Sequence, residues 1–518
     1  VSVIIAVAII AMVVSGIVAT VNSRERNKDS DTKTTLVKAD TINLAMFEPR
    51  NFNVYESIDE DIFYINQLVY SSLFKLDKNL NITPDVVSKY SVDTSNGEVN
   101  ISLKDNVKFS DGSDLESSDV KASVDRIIAA ESRSPYFVYA SKINHIQIND
   151  SKNFTVVFNS ASDAALDNLI FPITSAGEYK KGESFAIGSG PYAYSGHESG
   201  KTLKLAVNKY YYDGIAKLPI VFNIVKDRSV IPGLMTMDVV TAYLNKTQDA
   251  DSIAQDKKLK YKKLASGELE YLGFNHENKY CSNSKFRIAI SKAIDSSKII
   301  KYNYAGAAVT SDSIYYPNFL GAKKDDTFNF EPKKATKLLK ELKLKDRDED
   351  GILEDESGNP VTLRILVQNT NKQRLEAAET IIENLKQIGI NAELVSVDAD
   401  SYKDKLESKQ YDIYFGGIKI DKQFNLTDLY TTYNKIGFSD SKLLTQISRL
   451  EQSLSSEEQL KQFTAIKKSI NQDASYVPVC YKAYWFLSVD TLKNADDVSF
   501  YSPYEGAVKW QWSKRKTK

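Results

Sequence analysis

Four residues near the middle of the chain have the spacing of an oxygen-liganded cation site. Asp346, Asp348, Asp350 and Gly351 form the pattern D-x-D-x-D-G, in which alternating carboxylates converge on a calcium ion and the glycine permits a sharp turn. The twelfth position of such a loop is Ser357, where a bidentate Glu would complete the calcium shell. The pattern therefore predicts either a structural calcium site or an acidic, solvated hairpin between a helix and the next strand.

Patterns for nucleophilic or cofactor chemistry are missing from the sequence. It contains no G-x-S-x-G, H-E-x-x-H, P-loop or dinucleotide-binding glycine pattern. The segment Gly188–Pro191 has no helix after its serine, so we interpret it as a turn that leads into a strand. Two cysteines, Cys281 and Cys480, and three histidines are too few and too scattered to predict a disulfide framework or a metal centre. The sequence does not determine whether the two cysteines meet, and an exported hydrolase with an unrecognised site is an alternative.

Length and charge exclude several classes of protein. With 518 residues, of which 42% are hydrophobic and 26% charged, the chain can form three or four domains of ordinary globular size. Its 67 basic and 68 acidic side chains give a formal net charge of -1, so no overall positive field attracts nucleic acid. We expect a mainly folded protein without a nucleic-acid partner.

The amino-terminal residues predict a membrane segment. Val1–Thr20 contains no charged residue and has the length of about 20 residues that a helix needs to cross a bilayer. No cysteine near it could carry a lipid anchor. We interpret residues 1–21 as a transmembrane anchor or signal segment, and residues 22–40, which are polar and lack periodicity, as a flexible tether. The expected location is the cell membrane, with a single-pass anchor and the body on the extracytoplasmic side.

Alternating strands and helices must position the residues of any site. TLRILVQ is typical of a strand, LEAAETIIENLKQIG of a helix that ends at Gly389, and INAELVSVD of a second strand. Strand, helix and strand with short connections predict a βαβ unit with parallel pairing, and hence an α/β fold. Farther on, YDIYFGGI predicts a buried strand with Gly416 and Gly417 near its end. Nearer the amino terminus, an amphipathic helix is predicted with Ser117 as its N-cap.

One segment is specific enough to indicate a family. VKFSDGSDLESSDVKASVDRI, residues Val107–Ile127, closely resembles the signature of the family 5 extracellular solute-binding proteins, the oligopeptide, dipeptide and nickel class of ABC importers. Further similarities follow in the family's order along nearly the whole chain, at Leu68–Val92, Gly188–Gly214, Tyr271–Asp295, EPKKATKLL, LEAAETIIENLKQIGINAELVSVD, KQYDIYFGGI and Ser475–Leu487. The sequence is therefore identified as a member of that family.

The resemblance implies a two-lobed clamp of the periplasmic-binding-protein type II class, large and cluster C-like, with an inserted subdomain. Lobe I would comprise residues 41–268 plus 486–518, with the subdomain near 80–185, and lobe II residues 269–485. Two hinge crossings would pass near 271–275 and 477–485; the hinge residues expected there are Tyr271, Gly273, Asn275, Val477 and Pro478. Such a clamp encloses a solute when its lobes close.

The resemblance also implies how a ligand is held. In peptide-binding members, an aspartate a few residues beyond the glycine-containing strand holds the α-amino group, and Asp421 stands at that position, with Asp428 as the alternative. A carboxylate suits this role because an ammonium group in a closed cleft needs a charged partner. Gly416 and Gly417 belong to the same expected site, where the peptide backbone would pair like an added strand. Ile418 replaces the tryptophan usual in the family, so one aromatic wall is lost.

The expected function follows from these points. We expect a non-enzymatic, monomeric, solute-binding subunit that captures oligopeptides and delivers them to the permease subunits of an ABC importer. Oligosaccharide and nickel-chelate binding are alternatives within the family, although no histidine follows His276. A receptor that hands a signalling peptide to a membrane partner is a further alternative. No cofactor is expected apart from a structural calcium at Asp346, Asp348 and Asp350.

Overall fold

The structure is a computed structural model that describes residues 40–93, 95–161, 165–177, 185–247, 259–419, 427–431, 434–451 and 456–513. All of these ranges belong to the unit Asp40–Lys518. The predicted anchor and tether up to residue 39 lie outside them, as does Asp421. Of the helices that are described, none combines the length and apolar character needed to cross a bilayer.

Helices and strands alternate along the described residues. The strands are β1 (Ile42–Met46), β2 (Phe74–Leu76), β3 (Ile82–Pro84), β4 (Val87–Asp93), β5 (Glu98–Leu103), β6 (Ile143–Ile148), β7 (Asn153–Phe158), β8 (Tyr192–Glu198), β9 (Thr202–Val207), β10 (Ile220–Ile224), β11 (Ala242–Asn245), β12 (Leu259–Phe274), β13 (Ala308–Val309), β14 (Thr362–Gln368), β15 (Asn391–Val397), β16 (Ile413–Lys419), β17 (Tyr476–Val489), β18 (Leu492–Lys493) and β19 (Gln511–Trp512). The α-helices are α1 (Glu60–Val69), α2 (Ser117–Ala130), α3 (Phe137–Ala140), α4 (Ile231–Thr236), α5 (Ser284–Ala293), α6 (Ser296–Tyr302), α7 (Pro332–Glu341), α8 (Lys372–Lys386), α9 (Ala399–Glu407), α10 (Thr427–Tyr430), α11 (Ser441–Glu451) and α12 (Ser456–Asp473).

The first sheet contains one parallel pair of strands. Its order is β1-β10-β9-β8, and β1 pairs with β10 in parallel, from Ile42 opposite Ile220 to Met46 opposite Ile224. Ile42 and Ile220 are fully buried, as expected for apolar strands covered on both faces. Because β1 and β10 run in the same direction, their carboxyl ends lie at one edge of the sheet.

A second sheet, entirely antiparallel, lies within the range predicted for the inserted subdomain. Its order is β4-β5-β7-β6, and helix α2 lies between β5 and β6 in the chain. The prediction that Ser117 is the N-cap of α2 is wrong, because Glu116 takes that position. The Asp119 carboxylate accepts the backbone N–H of Glu116 at 2.7 Å, and this return bond extends the cap by one residue.

The third sheet carries the predicted βαβ unit. Its order is β11-β17-β12-β16-β14-β15, with β13 beside β17. Strand β14, helix α8 and strand β15 follow one another, and β14 pairs with β15 in parallel, so the βαβ prediction is confirmed. Helix α8 ends at Lys386, and Gly389, the predicted end of the helix, lies in the turn before β15. Its φ of 82° is a left-handed conformation that glycine adopts without steric cost.

Two long strands run through the middle of this sheet. β12 and β17 pair antiparallel from Leu259 opposite Val489 to Gly273 opposite Tyr476. The register shifts between Ala265 and Leu269, where three residues of β12 stand opposite the single residue Lys482 of β17. The boundaries predicted between the lobes, after residues 268 and 485, therefore fall inside continuous strands.

A separate hydrophobic core fills the half of the molecule that contains β14, β15 and α8. It includes the fully buried residues Ile365, Ile381 and Phe415. Cys281 and Cys480 also belong to this core and are both free thiols. Burial raises the pKa of both thiols, as expected for cysteines packed in an apolar core.

Candidate functional site

The carboxyl ends of three neighbouring strands meet at one edge of the third sheet. β14 pairs in parallel with both β15 and β16, so Gln368, Val397 and Lys419 end their strands on the same side. Ligands of open α/β sheets bind outside the carboxyl ends of such strands. This edge is therefore the first candidate for a binding surface.

Strand β16 leaves part of its backbone unpaired at this edge. It pairs with β14 only at Ile413 and Tyr414, whereas its pairing with β12 continues to Lys419. Beyond Phe415, none of the described residues pairs with the side of β16 that faces β14. The strand thus presents an open edge over Gly416–Lys419, and such an edge can accept another extended chain.

The hydrogen bonds around β16 show which backbone groups point to the open edge. Asn275 donates its backbone N–H to the Asp412 carbonyl at 2.9 Å, so Asp412 directs its carbonyl toward β12. Phe415, three residues later, directs its carbonyl to the other side, where it accepts the Tyr402 hydroxyl at 3.1 Å. Because amide groups alternate sides along a strand, Gly417 and Lys419 present N–H and C=O groups to the open edge.

Gly416 and Gly417 are required by packing at this position. A Cβ at Gly417 would lie 2.2 Å from an Arg374 guanidinium nitrogen and 3.1 Å from a Glu270 carboxylate oxygen. A Cβ at Gly416 would lie 2.7 Å from the Tyr414 ring. The two glycines, predicted as ligand-binding residues, therefore let β16 pass over an ion pair on one face and tyrosine rings on the other.

A buried ion pair lies against the face of β16 that contains Gly417. Arg374, in the first turn of α8, donates to both carboxylate oxygens of Glu270 on β12 at 2.6 and 3.0 Å. The side chains of Arg374 and Glu270 are only 12% and 3% exposed. Although burial alone would lower the pKa of Arg374, contact with Glu270 raises that pKa well above its ordinary value. The bidentate geometry is the strong form of this interaction, and it fixes the start of α8 against β12.

Lys482 extends this ion pair along the two long strands. Its ammonium group lies 3.1 Å from Glu268 and 3.5 Å from Glu270. The Tyr484 hydroxyl donates to the other Glu268 oxygen at 3.1 Å. Sequence analysis missed Glu268, Glu270 and Lys482, although charged residues inside a segment as apolar as GELEYLGF are a signal of buried pairing.

Polar residues also follow the carboxyl ends of β1 and β10. The Asp61 carboxylate accepts the Phe47 backbone N–H at 2.8 Å and the Arg228 guanidinium at 3.2 Å. Arg228 lies over the Phe47 ring, 4.4 Å from its centre. Burial raises the pKa of Asp61, and the charge of Arg228 opposes that change. These groups stabilise one another at the edge formed by the carboxyl ends of β1 and β10.

Of the predicted hinge residues, Tyr271 and Gly273 lie in β12, Asn275 follows β12, and Val477 and Pro478 lie in β17. Tyr271 is buried in a cluster of aromatic rings. Its hydroxyl lies 3.3 Å from that of Tyr414, and the centres of the Tyr271 and Tyr476 rings are 5.5 Å apart. Helix α10, which contains the alternative residue Asp428, is attached to the same cluster because the Tyr476 hydroxyl donates to the Leu429 carbonyl at 2.6 Å.

The acidic loop brings four carboxylates together. Oxygen atoms of Asp346, Asp348, Asp350 and Glu354 all lie within 4.8 Å of one another. Sequence analysis missed Glu354 because it tested only the twelfth position of the loop, whereas Glu354 occupies the ninth, which also supplies a ligand in calcium loops. Oxygen donors on a tight turn fit a hard cation such as Ca²⁺.

A serine, a histidine and an aspartate meet at the opposite end of β16. The Ser475 hydroxyl lies 2.9 Å from Nε2 of His276 and also contacts the Asp473 carboxylate. In a catalytic triad the carboxylate orients the imidazole instead, and Ser475 is fully buried. Burial, followed by the charge of Arg287, lowers the pKa of His276 to about 4. This arrangement gives no support to the hydrolase alternative.

Comparison with known proteins is consistent with this geometry. Residues 81–440 match the sequence model of "Bacterial extracellular solute-binding proteins, family 5 Middle". The chain is 24% identical over 393 residues to the oligopeptide-binding protein AppA of Bacillus subtilis (strain 168), covering 70% of each chain. It is 25% identical over 350 residues to the glutathione-binding protein GsiB of Salmonella paratyphi A, covering 66% of each.

Solved structures show the same fold. A nickel ABC transporter structure from Bacillus halodurans has a TM-score of 0.78 at 16% identity, with 91% of this chain and 99% of that chain covered. The structure of AppA from Bacillus subtilis in complex with a nonapeptide has a TM-score of 0.53 at 20% identity, with 92% and 99% covered.

Proposed function

The chain belongs to family 5 of the bacterial extracellular solute-binding proteins, and from this premise we propose that it captures oligopeptides between two lobes and delivers them to an ABC permease. The observation that carries the proposal is the open edge of β16. Gly417 and Lys419 offer main-chain donors and acceptors at the carboxyl edge of the sheet, where an extended peptide would add as a further strand. Main-chain pairing of this kind suits ligands of varied sequence.

The names of some relatives and structural neighbours give ligands other than oligopeptides, and two of these ligands can be compared with the open edge of β16. Glutathione, named for one relative, is itself a peptide and could pair with the same edge. A nickel chelate would need metal-binding side chains, and His276 contacts Ser475 at the other end of β16. We therefore place peptides first and use a nickel–histidine complex and an oligosaccharide as competing ligands.

Backbone methylation tests the proposal. An extended peptide that pairs with Gly417 and Lys419 should lose affinity by about 30-fold or more when the amide that faces β16 is N-methylated, because a buried carbonyl then loses its donor. Isothermal titration calorimetry measures this change, and N-methylation of the adjacent residue, whose amide points away, is the matched control.

Equal weakening by both methylations would contradict strand addition. Saturable binding of the nickel–histidine complex or the oligosaccharide, with no peptide binding, would contradict the peptide proposal itself. Small-angle X-ray scattering of the same samples measures whether the peptide makes the protein more compact, as closure of two lobes requires.

We propose that the lobes, residues 41–268 plus 486–518 and residues 269–485, pivot about β12 and β17. The register shift at Ser266–Glu268, opposite Lys482, supports this position because a bulge locally bends and twists a strand pair. The predicted hinge residues Tyr271 and Val477 follow the bulge on the lobe II side. We also propose that residues 1–21 anchor the protein in the membrane, with the body on the extracytoplasmic side; sedimentation of the full chain with membranes tests the anchor.

We propose calcium as a structural ligand of Asp346, Asp348, Asp350 and Glu354. At a calcium concentration about tenfold above the dissociation constant, binding to the folded state should raise the free energy of unfolding by about 1.4 kcal/mol. In a domain of the size of lobe II, this change raises Tm by roughly 3–5 °C. Differential scanning calorimetry with calcium and with a chelator measures the shift. Asp348→Asn should abolish it, and Asp400→Asn, on the exposed helix α9, should leave it intact; a shift that persists in Asp348→Asn would contradict the site.

A further inference from the structure

A groove on the surface of lobe I lies well apart from the open edge of β16. It has a volume of about 450 Å³ and is bordered by the amino-terminal part of β12, the facing part of β17, and the segment from Leu492 to Asp496. The part of β12 that pairs with β16 is Glu268–Phe274, and it does not include the residues that border the groove. The groove is therefore not part of the peptide site proposed above.

Three lysines converge on this groove. Lys260 and Lys262 alternate along β12 and so point to the same face, where they stand opposite Ser488 and Phe486 of β17. Lys493 enters from the neighbouring strand β18. Three cationic side chains on two different elements thus share one concave surface.

Within the described residues, the hydrogen bonds of the three ammonium groups to acceptors go to backbone carbonyls. Lys260 donates to Leu492 O at 3.3 Å, Lys262 to Asp496 O at 2.5 Å, and Lys493 to Asp490 O at 3.4 Å. An ammonium group has three donors, so each lysine keeps donors for a further partner.

The positive charges in the groove are incompletely neutralised. In the part of the chain that the structure describes, no carboxylate oxygen lies within 4 Å of the Lys260, Lys262 or Lys493 ammonium. Asp497, nearby in sequence, is paired with Lys78 at 3.2 Å. Burial, followed by the contact with Lys493 and its charge, lowers the pKa of Lys260, while the charges of Asp490 and of Asp496, which also borders the groove, oppose that change only in part. Holding like charges together costs free energy, which a bound anion would offset.

We propose that this groove binds a phosphate group, either as free phosphate or as the headgroup of an anionic phospholipid. A tetrahedral oxyanion presents several oxygens in different directions, which matches three ammonium groups that arrive from different elements. Lysine binds phosphate as a compact point charge, whereas carboxylates are better matched by the planar fork of arginine. The ligand would connect β12 to the segment that follows β17 on the surface of lobe I.

Equilibrium dialysis of the full chain in detergent tests the proposal with two probes. One is inorganic phosphate, and the other is glycerophosphoglycerol, the water-soluble headgroup of phosphatidylglycerol. We expect saturable binding of at least one probe and a loss of affinity of at least tenfold in Lys260→Met/Lys493→Met. Lys89→Met/Lys204→Met removes the same number of charges from exposed strands elsewhere in lobe I and should bind as the unchanged protein does.

Each outcome decides the question. Binding of phosphate alone identifies a free oxyanion as the ligand, and binding of the headgroup compound identifies the lipid source. The proposal would be overturned if neither probe showed saturable binding. It would also be overturned if the two double substitutions weakened binding equally. If Lys260→Met/Lys493→Met has an altered circular dichroism spectrum, Lys262→Met alone provides the same comparison on a folded protein.

Discussion

Replacing Arg374 with Met is expected to lower the free energy of unfolding by about 3–5 kcal/mol, because the Glu270 carboxylate then stays buried without its bidentate partner. Glu270 is 3% exposed in its side chain, and its remaining cationic neighbour, Lys482, is 3.5 Å away. Urea denaturation measures the change.

Two control variants separate the buried charge from general effects of the substitution. Arg364→Met also removes an arginine from a carboxylate, Asp412, but Arg364 is 49% exposed and Asp412 keeps hydrogen bonds from the Arg364 backbone and from Asn278. We expect a loss of about 1 kcal/mol or less there. Glu270→Met/Arg374→Met should recover much of the stability, since apolar residues replace both charges. Equal losses in Arg374→Met and Arg364→Met would show that burial is not the cause.

Replacing Asp421 with Ala is expected to weaken binding of peptides with a free amino terminus by about 2–5 kcal/mol, because an ammonium group enclosed in the cleft would lose its charged partner. N-acetylated peptides should bind poorly to both proteins, since they carry no such charge. Calorimetric titration of one peptide in its free and acetylated forms measures both effects.

Asp428→Ala is the control for this experiment, because Asp428 is the alternative carboxylate in the same region of the sequence. If Asp428→Ala shows the selective loss and Asp421→Ala does not, the role belongs to Asp428. If the unchanged protein binds free and acetylated peptides equally, neither aspartate holds an α-amino group.

The local elements of the fold were predictable from residue pattern. The alternation of apolar residues in TLRILVQ and the helical spacing that ends at Gly389 correspond to β14, α8 and β15, because hydrophobic period and helix-ending glycines act over a few residues. The N-cap of α2 was missed by one residue, since the return bond from Asp119 to Glu116 depends on side-chain geometry that residue type alone does not specify.

The supporting structure around the candidate site was less accessible to sequence reasoning. Gly416 and Gly417 could be identified as unusual in a buried strand, but the Arg374–Glu270 ion pair that requires a glycine at position 417 joins residues 104 positions apart. Glu354 was within reach, since its position in the acidic loop is set by local spacing.

The sequence by itself determined the family, the βαβ unit and the presence of an acidic loop, because these properties reside in short segments whose residue types interact with their neighbours in the chain. The tertiary structure decided that β16 leaves β14 after Tyr414, that Lys482 lies between two glutamates, and that three lysines from β12 and β18 share one groove. Those features depend on strand register and on which distant side chains are buried together, and both are set by the packing of the whole chain.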